Sequence, residues 1–185
     1  MNPIKVIWAL RGIAYKLRFA KFGNMSYIGK PIILEGAKRI EIGNKVRVYP
    51  GARMETYGEK GRIIIEDNVS IGQNFHVISS DYPLVIGKNT TVSGNVLITN
   101  VDHDYTQIGE HILAQKHMTK KTRIGENCFI GYGAAIQAGT ILGKQCVVGA
   151  NSVVRGTFPD YCVIVGVPAR IVKRYNPNLA IWEKV

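Results

Sequence analysis

The chain has few cysteines and no long apolar run near its start. Its three cysteines, Cys128, Cys146 and Cys162, are an odd number and lack the CxxC spacing of a metal site. Each lies in an apolar stretch where a thiol can serve as a small core side chain, which favours a reducing compartment. The apolar run at residues 6–10 is shorter than a signal-peptide core of about 7 to 15 residues, and far below the roughly 20 that cross a bilayer. We therefore expect a cytoplasmic protein.

Acidic residues are also scarce, since 13 Asp and Glu face 24 Lys and Arg, for a net charge of +11. Residues 1–23 hold no acid but contain the cations Lys5, Arg11, Lys16, Arg18 and Lys21. This imbalance predicts anionic partners, which include nucleic acid, an anionic membrane surface or a phosphate-bearing small molecule. No nucleic-acid-binding motif is present, so we expect no nucleic-acid partner.

The C-terminal half repeats with a period of six. Every sixth residue from position 124 is aliphatic, and the set is Ile124, Ile130, Ile136, Leu142, Val148 and Val154. Small side chains follow four positions later, and glycine directly follows several of the aliphatics. Shorter blocks with the same period occur upstream, with breaks at residues 54–62 and 78–85 that we interpret as loops or register shifts.

A period of six fits neither an α-helix nor a solvated strand, but it fits a solenoid. Each hexad supplies one short strand and a corner, three hexads make a coil, and stacked coils share one aliphatic core. Parallel strands then pair between coils, and glycine is expected where the backbones approach closely. The sequence thus predicts an all-β solenoid over residues 24–175, with a C-terminal tail or short helix over 176–185.

Residues 1–23 lack the repeat and are predicted to form a helix with two apolar stripes. One stripe consists of Val6, Leu10, Ile13, Leu17 and Ala20, and the other of Ile4, Trp8, Tyr15, Phe19 and Phe22. We expect one stripe to pack on the solenoid or on a neighbouring subunit. Peripheral contact of the other with an anionic membrane is compatible with that packing.

Residues 124–173 closely resemble the C-terminal signature of the hexapeptide-repeat acyltransferases, especially the galactoside, maltose and surface-polysaccharide O-acetyltransferases. The resemblance extends back to about residue 40. It implies a left-handed parallel β-helix, a homotrimer, and acetyl-CoA as acyl donor in the cleft between neighbouring solenoids. Transfer of an acetyl group from a thioester to a hydroxyl needs a base and oxyanion donors, and requires no metal.

His103 is the candidate catalytic base. The stretch IGKNTTVSGNVLITNVDHDY, residues 86–105, resembles the part of the family in which the catalytic histidine precedes an excursion from the solenoid. The repeat supports this, because His103 is the sixth residue of the hexad beginning at Ile98 and the aliphatic phase resumes only at Ile124. Residues 104–121 are therefore predicted to form an extruded loop. Histidine suits proton abstraction, since an imidazole ordinarily titrates near pH 6.5.

Three polar residues are candidates for work beside this base. Asp102 or Asp104 is expected to orient His103 unless a backbone carbonyl does so, and Asp102 is also a candidate substrate contact. By resemblance, Asn74 matches an asparagine that contacts the reacting groups in galactoside-type enzymes, provided that one residue is gapped.

The other histidines have weaker support. His76 is a candidate for the wall of the cleft, whereas His111 and His117 are expected to lie on the surface of the loop.

The resemblance also implies a coenzyme A site. Tyr132 and Ala150 match residues that contact the pantetheine, and Arg155, Arg170 and Lys173 match positions near the adenosine end, where a cation meets phosphate. Two departures, Phe129 in place of a frequent tryptophan and Arg155-Gly156 in place of Thr-Lys, leave the acceptor open.

These features predict transfer of acetyl to a sugar hydroxyl, in surface-polysaccharide biosynthesis. The alternatives are N-acetylation of a nucleotide-linked amino sugar and a binding scaffold without chemistry. A zinc carbonic anhydrase on the same solenoid needs converging histidines, and position 108 is isoleucine.

Overall fold

The computed structural model describes the backbone of residues 3–185 and the side chains of residues 6–8 and 10–185. The chain begins with one helix, α1 (Pro3–Tyr15), and continues as a parallel β-solenoid with three faces. Successive strands pass from the first face to the second and third, so that three short strands make one coil. The predicted all-β solenoid is confirmed.

The first face stacks β1 (Lys21–Phe22), β4 (Ile40–Ile42), β7 (Arg62–Ile65), β10 (Pro83–Ile86), β15 (Arg123–Ile124), β18 (Ile141–Leu142) and β21 (Thr157–Phe158). The second face stacks β2 (Tyr27–Ile28), β5 (Arg47–Val48), β8 (Ser70–Ile71), β11 (Thr91–Val92), β16 (Phe129–Ile130), β19 (Val147–Val148) and β22 (Cys162–Gly166), and ends in antiparallel β23 (Ala169–Asn176) and β24 (Ile181–Lys184). The third face stacks β3 (Ile33–Glu35), β6 (Arg53–Tyr57), β9 (His76–Ser80), β12 (Leu97–Thr99), β17 (Ala135–Ile136) and β20 (Val153–Val154). Outside these faces lie an antiparallel pair, β13 (Val101–His103) and β14 (His117–Thr119), and single 3-10 turns at Ala37–Arg39 and Ile112–Ala114.

The six-residue repeat forms the core. Each aliphatic residue of the series from Ile124 to Val154 is at most 1% exposed. They stack between coils in register, with Ile124 opposite Leu142 and Ile130 opposite Val148. Burial of one aliphatic side chain stabilises a fold by about 1.5 to 3 kcal/mol, so this series is a main source of stability.

Glycines beside the corners are required by close approach of the backbones. A Cβ on Gly131 would lie 2.6 Å from the backbone nitrogen of Ala150 in the next coil. Six of the twelve non-glycine residues with positive φ in the described chain are asparagine, for example Asn74 and Asn95 with φ of 55° and 58°. Short polar side chains tolerate this conformation better than most residues do.

The N-terminal helix is shorter than predicted. It ends at Tyr15, and Lys21–Phe22 already forms the first strand of the solenoid. The cause is the backbone ladder, since the amide of Ala20 donates to the carbonyl of Ile40 at 3.0 Å. Residues 1 and 2 lie outside the described residues, as do the side chains of Ile4 and Lys5. Within the described part, no helix combines the length and hydropathy needed to span a bilayer.

The C-terminal segment is a β-hairpin and not a helix. Strands β23 and β24 pair antiparallel with Tyr175 opposite Trp182, and their rings lie 5.7 Å apart. Because β23 runs through Asn176, the solenoid and the tail are continuous at the boundary expected at residues 175 and 176. Cross-strand aromatic pairs of this kind stabilise hairpins, which explains why extended structure wins here.

Candidate active site

His103 ends the strand that leaves the solenoid after β12. It lies opposite His117 in the antiparallel pair β13 and β14, so the excursion predicted over residues 104–121 begins and ends in one two-stranded ladder. Within the excursion, the side chain of Gln115 is buried and donates to the carbonyls of Gln107 and Glu110 at 3.2 and 3.1 Å. The loop is therefore internally hydrogen bonded.

Asn100 fixes the base of this hairpin. Its side chain is fully buried, accepts from the amide of Ser80 at 2.7 Å and donates to the carbonyl of Tyr82 at 2.8 Å. The backbone carbonyl of Asn100 accepts a hydrogen bond from the backbone amide of Lys120 at 2.9 Å. Since buried polar groups are costly to leave unpaired, these bonds hold the start of the His103 strand against the third face.

The imidazole of His103 makes an edge-to-face contact with His117. Their ring centroids are 4.8 Å apart and the planes meet at 84°. The Nδ1 atom of His103 is buried and makes no hydrogen bond with the described residues. Placing His117 on the loop surface was therefore incomplete, because it is exposed but also touches the candidate base. His111 does lie on the loop, where its Nδ1 accepts from the amide of Leu113 at 3.3 Å.

A cleft of about 410 Å³ runs from this pair across the outer face of three third-face strands. Its lining consists of Arg53, Glu55, Tyr57, His76, Ile78, Ser80, Leu97, Thr99, Val101, His103 and His117. The strand register explains the set, because side chains two residues apart point to the same face of a sheet. The expectation that His76 lines the cleft is confirmed.

The floor of the cleft contains a buried carboxylate. Glu55 is 2% exposed, and both of its oxygens are hydrogen bonded, one by the Arg53 guanidinium and the other by the Tyr57 hydroxyl at 2.5 Å. Burial alone raises the pKa of Glu55, but the bonds from Arg53 and Tyr57 outweigh it, and the net pKa is lowered. Glu55 is thus a carboxylate near neutral pH. Its hydrogen bond raises the pKa of Tyr57, which remains a neutral phenol.

His76 lies next to this carboxylate. Its Nε2 atom is 3.9 Å from an oxygen of Glu55. Burial and the nearby Arg53 cation lower the pKa of His76, although Glu55 opposes them. The cleft therefore combines a neutral imidazole, a fixed carboxylate and apolar wall residues, which suits a ligand that carries both hydroxyl groups and apolar carbon faces.

Neither candidate aspartate hydrogen-bonds the His103 ring in the described structure. Asp102 accepts from the backbone amide of His103 at 3.0 Å, and its other oxygen lies 3.5 Å from the Arg155 guanidinium. Asp104 accepts from the amide and hydroxyl of Thr106, in a turn of the loop. The expected orientation of the imidazole by a carboxylate is therefore not observed.

Comparison with known proteins identifies the family. A model of the hexapeptide repeat of succinyl-transferases matches residues 62–100 and 121–155. A relative from Escherichia coli, named for lipopolysaccharide biosynthesis as the O-acetyl transferase WbbJ, is 32% identical over 171 residues, which are 88% of this chain and 86% of that protein. The chain belongs to the hexapeptide-repeat acyltransferase family.

Two further comparisons agree with the family and with the fold, respectively. The galactoside O-acetyltransferase of Escherichia coli is 31% identical over 59% of this chain and 55% of its own length. A structure of a mutant of AntD, an N-acyltransferase from Bacillus cereus, in complex with dTDP and coenzyme A, has a TM-score of 0.77 at 20% identity and covers 90% of each chain. The left-handed parallel β-helix expected from the resemblance is the fold of this acyltransferase.

Asn74, the predicted substrate contact, is not brought to the His103 cleft of this acyltransferase. It occupies a left-handed turn at the corner before β9, and its side chain donates to Asn95 at 2.9 Å in a ladder between coils. The side chains that do face the cleft from β9 are His76, Ile78 and Ser80.

The residues that match coenzyme A contacts lie on separate parts of the single chain. Tyr132 lies at the corner between β16 and β17, and Ala150 lies at the equivalent corner of the next coil, between β19 and β20. Arg155 follows β20, where it meets Asp102. Arg170 and Lys173 lie on β23, opposite Val165 and Val163.

Several cleft residues were not anticipated. Arg53, Glu55 and Tyr57 are on a strand that extends into the repeat break at 54–62, where the six-residue phase is lost. His117 closes the excursion that His103 opens. One signal was available, because the two ends of an extruded loop must return to the same place.

Proposed function

We propose that this chain transfers an acetyl group from acetyl-CoA to a hydroxyl group of a sugar, as a step in surface-polysaccharide assembly. Membership of the family supports acyl transfer, and the names of two relatives, for lipopolysaccharide and galactoside O-acetylation, support a sugar hydroxyl. The observation that carries the proposal is His103, whose buried, unbonded Nδ1 belongs to a ring at one end of the cleft.

His103 acts as general base in this proposal. It takes the proton of the acceptor hydroxyl as the oxygen attacks the thioester carbonyl, and a tetrahedral oxyanion forms. When that intermediate collapses, the carbon–sulfur bond breaks and the proton returns from His103 to the departing thiolate. The edge contact with His117 holds the ring in place, because Nδ1 has no hydrogen-bond partner in the part of the chain that the structure describes.

The cleft floor binds the acceptor. The Glu55 carboxylate holds the Tyr57 hydroxyl, whose oxygen accepts a hydrogen bond from a sugar hydroxyl group. Ile78 and Leu97 contact the apolar face of the sugar ring. Asp102 is retained as a second candidate contact, because its carboxylate is half exposed beside His103.

We propose a homotrimer with the acyl donor between neighbouring solenoids. The candidate donor contacts, Tyr132, Ala150, Arg155, Arg170 and Lys173, occupy different parts of one chain, which fits a site completed by a second chain. The cations among them suit the phosphates of coenzyme A.

We assign the reaction to the cytoplasm, because the three cysteines are buried and unbridged.

A second candidate is N-acylation of a nucleotide-linked amino sugar. It is favoured by the fold match to AntD, an N-acyltransferase that has been crystallised with dTDP-4-amino-4,6-dideoxyglucose and coenzyme A, at a TM-score of 0.77. An amine needs less help from a base than a hydroxyl does, so the two candidates differ in their dependence on His103.

The test is release of coenzyme A thiol from acetyl-CoA with a panel of sugars, nucleotide-linked amino sugars and lipid-linked glycans. We expect a hydroxyl-bearing acceptor to give turnover, and His103→Ala to lose at least about a hundredfold. The matched control is His111→Ala, a loop histidine that lies outside the cleft lining and should retain the rate. Full activity of folded His103→Ala would refute the base. An amide product would favour the second candidate, and failure of the wild type to bind acetyl-CoA would favour a scaffold without chemistry.

A further inference from the structure

The helix α1 covers the open end of the first coil. Its inner side packs on the solenoid through Trp8, whose ring lies 5.8 Å from that of Tyr27 and 5.5 Å from that of Tyr49. Gly12 is buried on the same side, where a Cβ would lie 3.1 Å from the ring of Phe22. The core is therefore closed from solvent without any use of the outer side of the helix.

That outer side is apolar. Ile7, Leu10 and Ile13 are 56%, 60% and 62% exposed, and Leu17 in the following turn is 82% exposed. At 100° per residue Ile7, Leu10 and Ile13 lie within an arc of about 120° of the helix. Met25, which is 80% exposed, borders the same groove as Ile13. We call these five residues the cap face.

An apolar cap face is unexpected at this position. Terminal caps of repeat proteins ordinarily present polar side chains outward, because nothing stacks on them. Scattered exposed apolar residues need no explanation, but contiguous ones mark an interaction surface. The cap face is contiguous and lies at the end of the solenoid, so we expect it to bind a partner.

The charge around the cap face indicates which kind of partner it binds. The chain has no aspartate or glutamate before Glu35, although it has six lysines and arginines in that stretch. Lys16 and Arg18 are exposed directly after the helix, whereas Lys21 pairs in register with Glu41 and lines a pocket with Asp67 on the first face. A second copy that docked through the same face would bring like charges together. An anionic bilayer complements both the cations and the apolar side chains.

We propose that the cap face docks on the surface of an anionic phospholipid bilayer. The helix has 13 residues and is about 20 Å long, so it lies in the plane of the interface. Ile7, Leu10, Ile13 and Leu17 enter the boundary between headgroups and acyl chains, and Lys16 and Arg18 meet lipid phosphates. This docking does not depend on the acetyl-transfer reaction, so either proposal can fail alone.

The test is flotation of the full-length protein with vesicles of phosphatidylglycerol mixed with phosphatidylcholine, and with vesicles of phosphatidylcholine alone. We expect binding to the anionic vesicles that weakens as salt is added. Leu10→Glu/Leu17→Glu should reduce binding at least about tenfold, since each change removes an apolar side chain and adds a repelled charge. Lys16→Gln/Arg18→Gln should reduce it roughly fivefold per cation.

The matched control is Leu179→Glu/Val185→Glu, which alters two similarly exposed apolar residues, 61% and 73%, in the C-terminal hairpin. It should bind as the wild type does. Equal binding by the cap-face and control variants would overturn the proposal, as would equal binding to neutral vesicles. Absence of vesicle binding, together with a smaller oligomer for Leu10→Glu/Leu17→Glu by light scattering, would identify the cap face as a subunit contact instead. Circular dichroism and the acetyl-transfer rate on a soluble acceptor establish that each variant is folded.

Discussion

His103 and His117 meet edge to face with ring centroids 4.8 Å apart, at the two ends of an excursion from the solenoid. The contact is the clearest constraint on the candidate base, because the Nδ1 atom of His103 has no hydrogen-bond partner among the described residues. A site of this kind depends on packing to orient the imidazole.

The first prediction concerns His117 as a positioning residue. His117→Ala should lower kcat by about 2- to 13-fold, since an edge-to-face ring pair contributes about 0.5 to 1.5 kcal/mol. The KM for acetyl-CoA should change little, because the contact orients the base and not the donor. His117→Phe should recover most of kcat, since it keeps a ring at the contact. An unchanged kcat in His117→Ala would show that the contact is unimportant, and no recovery by phenylalanine would assign the effect to the ring nitrogens.

The second prediction concerns the buried carboxylate of Glu55. Glu55→Gln should lower the free energy of unfolding by about 1 to 3 kcal/mol at neutral pH, because it weakens the charge-assisted bonds from Arg53 and Tyr57. Glu59→Gln, at an exposed turn, is the control and should be nearly neutral.

The pH dependence of this difference has a definite sign. Since the folded-state pKa of Glu55 is lowered, its stabilisation is present above the unfolded-state value of about 4.3. It is lost as the pH falls from there through the folded-state pKa. Urea denaturation should therefore show the wild type and Glu55→Gln converging in acid, and a constant difference across that range would contradict the assignment.

The third prediction tests the phase of the repeat with two adjacent residues. Ile130 is fully buried whereas Phe129 is 45% exposed. Ile130→Ala should reduce the free energy of unfolding by about 2 to 5 kcal/mol, through lost burial and a cavity. Phe129→Ala should cost about 1 kcal/mol or less, because nearly half of that residue already contacts solvent. Equal losses in chemical denaturation would mean that the inward phase is wrong.

The fourth prediction concerns Arg155 and the donor phosphates. Arg155→Ala should raise the KM for acetyl-CoA by about tenfold with little change in kcat, since a charge-assisted bond to phosphate is lost. Arg123→Ala, an exposed arginine on the first face, is the control. A lowered kcat with unchanged KM would instead connect Arg155 to the base, through its contact with Asp102.

The sequence alone was sufficient for the solenoid, its buried aliphatic series and the position of His103. A period of six repeats the same local environment in every coil, so Ile124 and Val154 are buried for the same reason. An interruption of the period, such as the one after His103, is therefore visible in the sequence. The ends of the chain were less predictable. Lys21–Phe22 joins the ladder through a backbone bond to the next coil, and Tyr175 pairs with Trp182, and neither contact leaves a periodic signal.

The tertiary structure alone decided which side chains surround His103. His117 reaches it because the excursion closes as an antiparallel pair, and Glu55 reaches the cleft because β6 lies two coils below β12 on the same face. Asn74 is turned to a corner by the same stacking. Local periodicity specifies which residues point inward in each coil. Contacts between coils depend on how many residues each corner and each break contains. These numbers set the register of one coil against the next, which is defined only when the coils have stacked.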